Sequence, residues 1–126
     1  MDFYEVLEAR RSVRKYKHTK IPEDVMNRVL KAVRKAPSAE NIQPWAFIVV
    51  RDEETKLKLA TFSHGQKFIA EAPAVVVALA NVDDSTSIIG GYMPSYPVDV
   101  AVAVDHLMLA AAAEGLGTCW IGAFKE

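Results

Sequence analysis

Arg10-Arg11-Ser12-Val13-Arg14 is the densest chemistry in this sequence of 126 residues. From Arg10 to Lys20, six of eleven residues are Lys or Arg, in a chain whose net charge is only -1. The segment has no helical period and is expected to be extended, so that Arg10, Ser12 and Arg14 share one side. Two guanidinium groups and a hydroxyl there suit an anion such as a phosphate, which arginine can grip through two parallel hydrogen bonds. A solvated basic strip has the same composition, and composition alone favours that alternative. A nucleic-acid arm fits less well, because Tyr16 is the only aromatic for base stacking and no second basic patch exists.

Two further segments offer binding groups. Ala36-Pro37-Ser38-Ala39-Glu40-Asn41-Ile42-Gln43-Pro44-Trp45 sets Ser, Asn and Gln beside a Trp ahead of an apolar run. Such a loop could present hydrogen-bond groups to a planar ligand, or be a connection that satisfies its own backbone. Gly115-Leu116-Gly117-Thr118-Cys119-Trp120-Ile121-Gly122-Ala123 has small residues that let a ligand approach backbone amides. Alternatively, Gly115 and Gly117 are helix caps and Trp120 is core. The segment matches neither the GxGxxG fingerprint nor a P-loop. Cys119 is expected to be a buried apolar filler rather than a nucleophile. His18, His64 and His106 lack metal-ligand spacing, so no metal is expected. There is no Gly-x-Ser-x-Gly elbow, and Asp99 and Asp105 do not form a neighbouring carboxylate pair. No side chain is expected to act as catalytic acid, base or nucleophile.

The elements that must position these segments alternate helix and strand. Asp2 with Glu5 forms a capping box for a short helix, with Phe3, Val6 and Leu7 on one face. Pro22, Glu23 and Asp24 open a second helix, on which Val25, Val29, Leu30 and Val33 recur at helical spacing; Pro37 stops it. Ala46 to Val50 and Ala74 to Ala80 read as buried strands, with short helices over Glu53 to Ala60 and Gly65 to Ala72 between them. A polar loop from Asn81 to Pro97 leads to a helix from Pro97 to Glu114, apolar nearly all round. Thr118 to Gly122 is expected to be a third strand, and Phe124 to Glu126 the start of another helix. Together these predict one layered helix-and-sheet domain over 1–126, with no repeat or linker.

Composition narrows the class. About half the chain is apolar and a quarter charged, as in soluble globular proteins. The near-zero net charge offers no general attraction to nucleic acid or membrane. One cysteine cannot form an internal disulfide, the start is not signal-like, and Val98 to Ala113 contains Asp99, Asp105 and His106. A cytoplasmic protein without membrane or nucleic-acid partners is the expectation. The long apolar helix exceeds what one small sheet can cover, which points to a second subunit. The chain also stops just after the third expected strand, as if cut short.

The order and spacing of the three segments resemble the nitroreductase family over nearly the whole chain. That resemblance implies an α/β (α+β) layered fold with a central, mainly antiparallel sheet and a long central helix. It implies a homodimer that binds FMN, takes hydride from NAD(P)H by a ping-pong route, and reduces a small electrophile such as a nitroaromatic, quinone or flavin. By position, Arg10, Arg11, Ser12 and Arg14 would hold the FMN phosphate, the ribityl chain and the ring edge. Pro37, Ser38, Ala39 and Asn41 would approach the partner's flavin, with Ala39 where many relatives have a second serine. Ile121, Gly122 and Ala123 would face the reactive ring edge through their backbone, and Gln66 would meet the pyrimidine edge. Relatives usually continue through a helix, a strand and a basic pair, so a truncated C-terminus is expected. Reductive dehalogenation or flavin breakdown on the same fold, and a flavin-binding or redox-sensing module without turnover, remain alternatives.

Overall fold

The computed structural model describes residues 1–85 and 88–125. Helix α1 (Phe3–Ala9) begins with the expected reciprocal cap. Glu5 N–H donates to Asp2 Oδ1 at 3.0 Å and Asp2 N–H donates to Glu5 Oε2 at 2.8 Å. Of its apolar face only Val6 is buried; Phe3 and Leu7 remain exposed. Helix α2 (Glu23–Val33) starts behind Pro22 and buries Met26, Val29 and Val33. It ends at Val33, short of Pro37, which lies beyond its closing turn.

Strands β1 (Trp45–Val50) and β2 (Val75–Ala80) pair antiparallel, Trp45 opposite Ala80 and Val50 opposite Val75. Helices α3 (Glu53–Phe62) and α4 (Phe68–Glu71) connect them. Both strands were expected to be buried, yet Ala46, Ile48 and Leu79 are exposed. Side chains alternate across a strand, and only one face of this pair meets the helices.

Helix α5 (Tyr96–Ala113) is the centre of the packing, against α1, α2 and both strands. Asp99, Ala103, Leu107 and Ala111, each one turn apart, form its buried stripe. Ala103, Leu107 and Ala111 meet Val29 and Val33 of α2, and Phe47 and Val76 close the cluster from the sheet. By length and composition α5 could cross a membrane, but two helices and two strands lie on it, as on a core helix.

Its C-terminal end is set by local chemistry. Gly115 takes φ +77°, and its N–H reaches Ala112 O at 3.0 Å while Leu116 N–H reaches Ala111 O at 2.9 Å. This is the Schellman arrangement, and it folds Leu116 back onto the core. Arg28 of α2 clamps the same end: its Nε and Nη2 donate to the two Glu114 carboxylate oxygens at 2.6 and 2.9 Å. Its Nη1 also reaches Asp24 at 3.0 Å. The hydrogen bond from Arg28 lowers the Glu114 carboxyl below its ordinary value and lowers Asp24 likewise, while the Arg28 pKa rises, chiefly through Glu114.

The third strand expected over Thr118–Gly122 is not formed. Thr118 makes one isolated parallel bridge to Ser12, and Cys119 to Gly122 carry no ladder. A strand exists only through a neighbour, and among the described residues β1 and β2 pair with each other alone. Phe124 and Lys125 are not helical, and Glu126 lies outside the described residues, as do positions 86 and 87 of the expected Asn81–Pro97 loop. The architecture is α+β, helices layered on a small antiparallel sheet.

Candidate functional site

The basic strip begins where α1 stops. Arg10 closes α1 with its N–H on Val6 O at 3.0 Å and then turns extended. From there the chain runs beside the segment that the Gly115 turn delivers. Val13 N–H donates to Thr118 O at 2.8 Å. A side chain at Gly117 would put its Cβ 2.9 Å from Val13 Cβ, closer than atoms pack. Gly117 therefore serves close approach to the chain's own strip, whereas Gly115 is the cap.

With Val13 turned toward Gly117, Ser12 and Arg14 stand exposed on the other side and Arg10 is half-buried, as alternation requires. Arg10, Arg11 and Arg14 make no ion pair with any described carboxylate. A cleft of about 270 Å³ opens there, lined by Arg10, Arg11, Val13, Ala112, Gly117 and Thr118 among others. Uncompensated guanidinium groups around a cleft fit a phosphate. A larger groove of about 620 Å³ lies at the other end of the fold, along Ile42–Ala46 and Asn81, Asp83 and Asp84. It has two carboxylates and no cation on its walls, the wrong charge for an anion, so the smaller cleft is the better candidate.

Tyr16 carries the strip toward α4. Its hydroxyl donates to Val13 O, and its ring lies 6.5 Å from that of Phe68. Burial raises the Tyr16 pKa, and the neighbouring Cys119 adds to the rise. Just before α4, Gln66 donates to Ser63 O at 2.9 Å and to Ala123 O at 3.5 Å, the outer limit of a hydrogen bond. Lys125 N–H on Phe62 O, at 2.9 Å, holds the chain end against the same turn. Gln66 and Ile121–Gly122–Ala123 thus come together on the side of the strip. Ile121, Gly122 and Ala123 donate no backbone hydrogen bond among the described residues, which leaves three donors for a ligand. Trp120, weighed as core, is 47% exposed, and Cys119, weighed as buried filler, is half-buried, because no strand neighbour covers them.

The Pro37–Asn41 loop is elsewhere. Pro37 and Asn41 are exposed, Ser38 and Ala39 half-buried. Ser38 Oγ accepts Gln43 N–H at 3.0 Å, and Ala39 N–H donates to Asp99 Oδ1 at 2.9 Å. Glu40, Asn41 and Gln43 take φ of 55°, 55° and 57°, left-handed values that cost non-glycine residues energy. Asp99 is in the first turn of α5, whereas Ala112 of the cleft is in its last. Thirteen residues of helix separate them, about 20 Å at 1.5 Å per residue. One chain does not bring its loop to its own arginine cleft.

Sequence reasoning missed Asp99 and the Tyr16–Phe68 pair. Asp99 could have been noticed as the one carboxylate on an otherwise apolar helical stripe with i, i+4 spacing. Nothing in the sequence pairs Tyr16 with Phe68. Among the described residues, no three His, Cys, Asp or Glu side chains gather as metal ligands.

Comparison with known proteins bears on this arrangement. The chain is 33% identical over 124 residues to a Methanothermobacter thermautotrophicus protein named as an NADH dehydrogenase/NAD(P)H nitroreductase, matching 98% of this chain and 62% of that one. It thus spans less than two thirds of that curated relative. Its fold superposes on a nitroreductase family protein from Clostridium novyi NT with a TM-score of 0.93 at 36% identity, covering all of this chain and 72% of the other. An FMN-dependent nitroreductase from Clostridium difficile R20291 gives a TM-score of 0.79 at 32% identity, with 92% and 64% covered. Residues 7–126 match the Nitroreductase family, and the chain belongs to it.

Proposed function

We propose that this chain forms the flavin-binding part of an NAD(P)H-dependent FMN oxidoreductase. The observation that carries the proposal is the pair Arg10 and Arg11 lining the cleft beneath the α5 cap, with Arg14 next along the same strip and no ion pair from any of the three to a described carboxylate. They would hold the FMN phosphate, with the Ser12 hydroxyl as a further donor. Gln66, oriented by Ser63 O, would meet the ring's polar edge, and the N–H groups of Ile121, Gly122 and Ala123 would face its reactive edge. When bound, FMN supplies the two-electron chemistry, accepting hydride from NAD(P)H and passing it to a small electrophile in a ping-pong cycle. Nitroaromatics, quinones and flavins are the acceptors to test.

We further propose a homodimer of one-domain subunits. A loop about 20 Å along α5 from the cleft of its own chain is better placed to serve a flavin held by another copy. Pro37, Ser38, Ala39 and Asn41 would then reach the partner's cleft. A nucleic-acid role is disfavoured, since the Tyr16 ring leans on Phe68 and its hydroxyl is spent on Val13 O. A soluble, cytoplasmic location accords with the single cysteine.

The test is one spectrum followed by one addition. Purified protein should show flavin absorbance, released as FMN on denaturation, and NADH or NADPH should bleach it without oxygen. Absence of flavin affinity would refute the proposal. Bound flavin that neither nucleotide reduces would turn it into a flavin-binding module.

A further inference from the structure

Asp99 is a buried carboxylate to which the proposed chemistry gives no part. It is 4% exposed, one of its oxygens accepts the Ala39 N–H, and the other, Oδ2, is buried with no hydrogen-bond partner among the described residues. Burying a polar atom without a partner opposes folding, and an alanine like its neighbours on α5 would avoid that cost. What Asp99 does accomplish is to hold a loop. Between Ser38 and Gln43 the other hydrogen bonds are internal: Asn41 N–H on Ser38 O, Ile42 N–H on Ala39 O, and Gln43 N–H on Ser38 Oγ. Among the described residues, the bond to Asp99 alone ties this stretch to another element. It does so beside Glu40, Asn41 and Gln43, whose left-handed backbone needs a fixed surrounding to persist.

We propose that Asp99 is the positioning residue of the Ser38–Gln43 loop, fixing through Ala39 the geometry with which that loop meets the partner's flavin. The flavin contact rests on the proposed function; the hold on the loop does not. Asp99 touches no reacting atom and acts only through the backbone it orients.

Hydrogen exchange followed by NMR, practicable at 13.9 kDa, tests this on the intact protein. In the wild type the Ala39 amide should exchange about tenfold or more slower than that of Glu40, which donates to no described group. Asp99→Ala should bring Ala39 to the Glu40 rate and weaken FMN binding about tenfold. Asp99→Asn retains an acceptor oxygen and should restore both. A wild-type Ala39 amide as fast as Glu40 would overturn the assignment without any variant. So would Asp99→Asn with Ala39 unprotected, and these two measurements decide if Asp99→Ala does not fold. A freed Ala39 with unchanged FMN affinity would uphold the hold on the loop and remove the loop from the flavin site.

Discussion

Replacing Gly117 by alanine should disturb the candidate site without touching any group that would bind a ligand. The new Cβ would stand 2.9 Å from Val13 Cβ and Cγ2 and 3.0 Å from Cγ1. Carbon atoms rest at 3.5–4.0 Å, so the strip must retreat by roughly 0.6–1.1 Å. Val13 N now lies 2.8 Å from Thr118 O, and a retreat of that size stretches this hydrogen bond to or beyond its outer limit. Gly117 does not use the left-handed backbone, so conformational strain adds nothing. Overpacking of this kind costs about 1–3 kcal/mol, and the lost hydrogen bond belongs within that range. Urea unfolding should show the loss, and flavin fluorescence titration should show FMN affinity falling about tenfold as Arg10 and Arg14 are displaced. Val13→Gly removes all three clashing atoms, so the double variant should regain stability relative to Gly117→Ala, a favourable coupling in a double-mutant cycle. A Gly117→Ala protein within about 0.5 kcal/mol of wild type, with unchanged FMN affinity, would refute the contact and the positioning derived from it.

Arg10→Ala should weaken FMN about tenfold to a hundredfold, the loss of a charge-assisted hydrogen bond, and leave riboflavin nearly untouched. Equal losses for both flavins, measured by fluorescence, would count against a phosphate grip. Val98, 40% exposed on α5, is a suitable place to test assembly, because Ala111 lies in the core, where arginine would test folding instead. Val98→Arg should abolish dimer and bound FMN together in light scattering, since a ligand shared by two chains stabilises only their complex. Glu114 and Asp24 have lowered folded-state pKa values, so their contribution is present above the unfolded values and lost as pH falls through the folded ones. The stability gap between wild type and Glu114→Gln should therefore be constant near neutrality and shrink below pH 4.5, the ordinary glutamate value, in urea midpoints.

The sequence by itself determined the features whose causes lie within a few residues. Asp2 and Glu5 cap α1 wherever α1 is placed and Gly115 ends α5, because each satisfies orphan backbone groups of its own helix. Pro22 with Glu23 and Asp24 start α2 through a fixed φ and negative charge at the positive end of the helix dipole. The alternation that exposes Ser12 and Arg14 around Val13 is likewise local. Three short segments in order were also enough for the family resemblance. Tertiary structure alone decided whatever needs a distant partner. Thr118–Gly122 has strand-like residues but finds no ladder beyond Ser12, and β1 and β2 are half-exposed because helices cover one face. Gly117 is required by Val13, more than a hundred positions away in the chain. Asp99 reads as an interruption of an apolar helix until Ala39 arrives beside it. The separation of loop from cleft is set by which ends of α5 they meet. Hydrogen-bond demands at a helix end are legible in the chain, but which surface covers a residue depends on elements the chain brings back from far along its length.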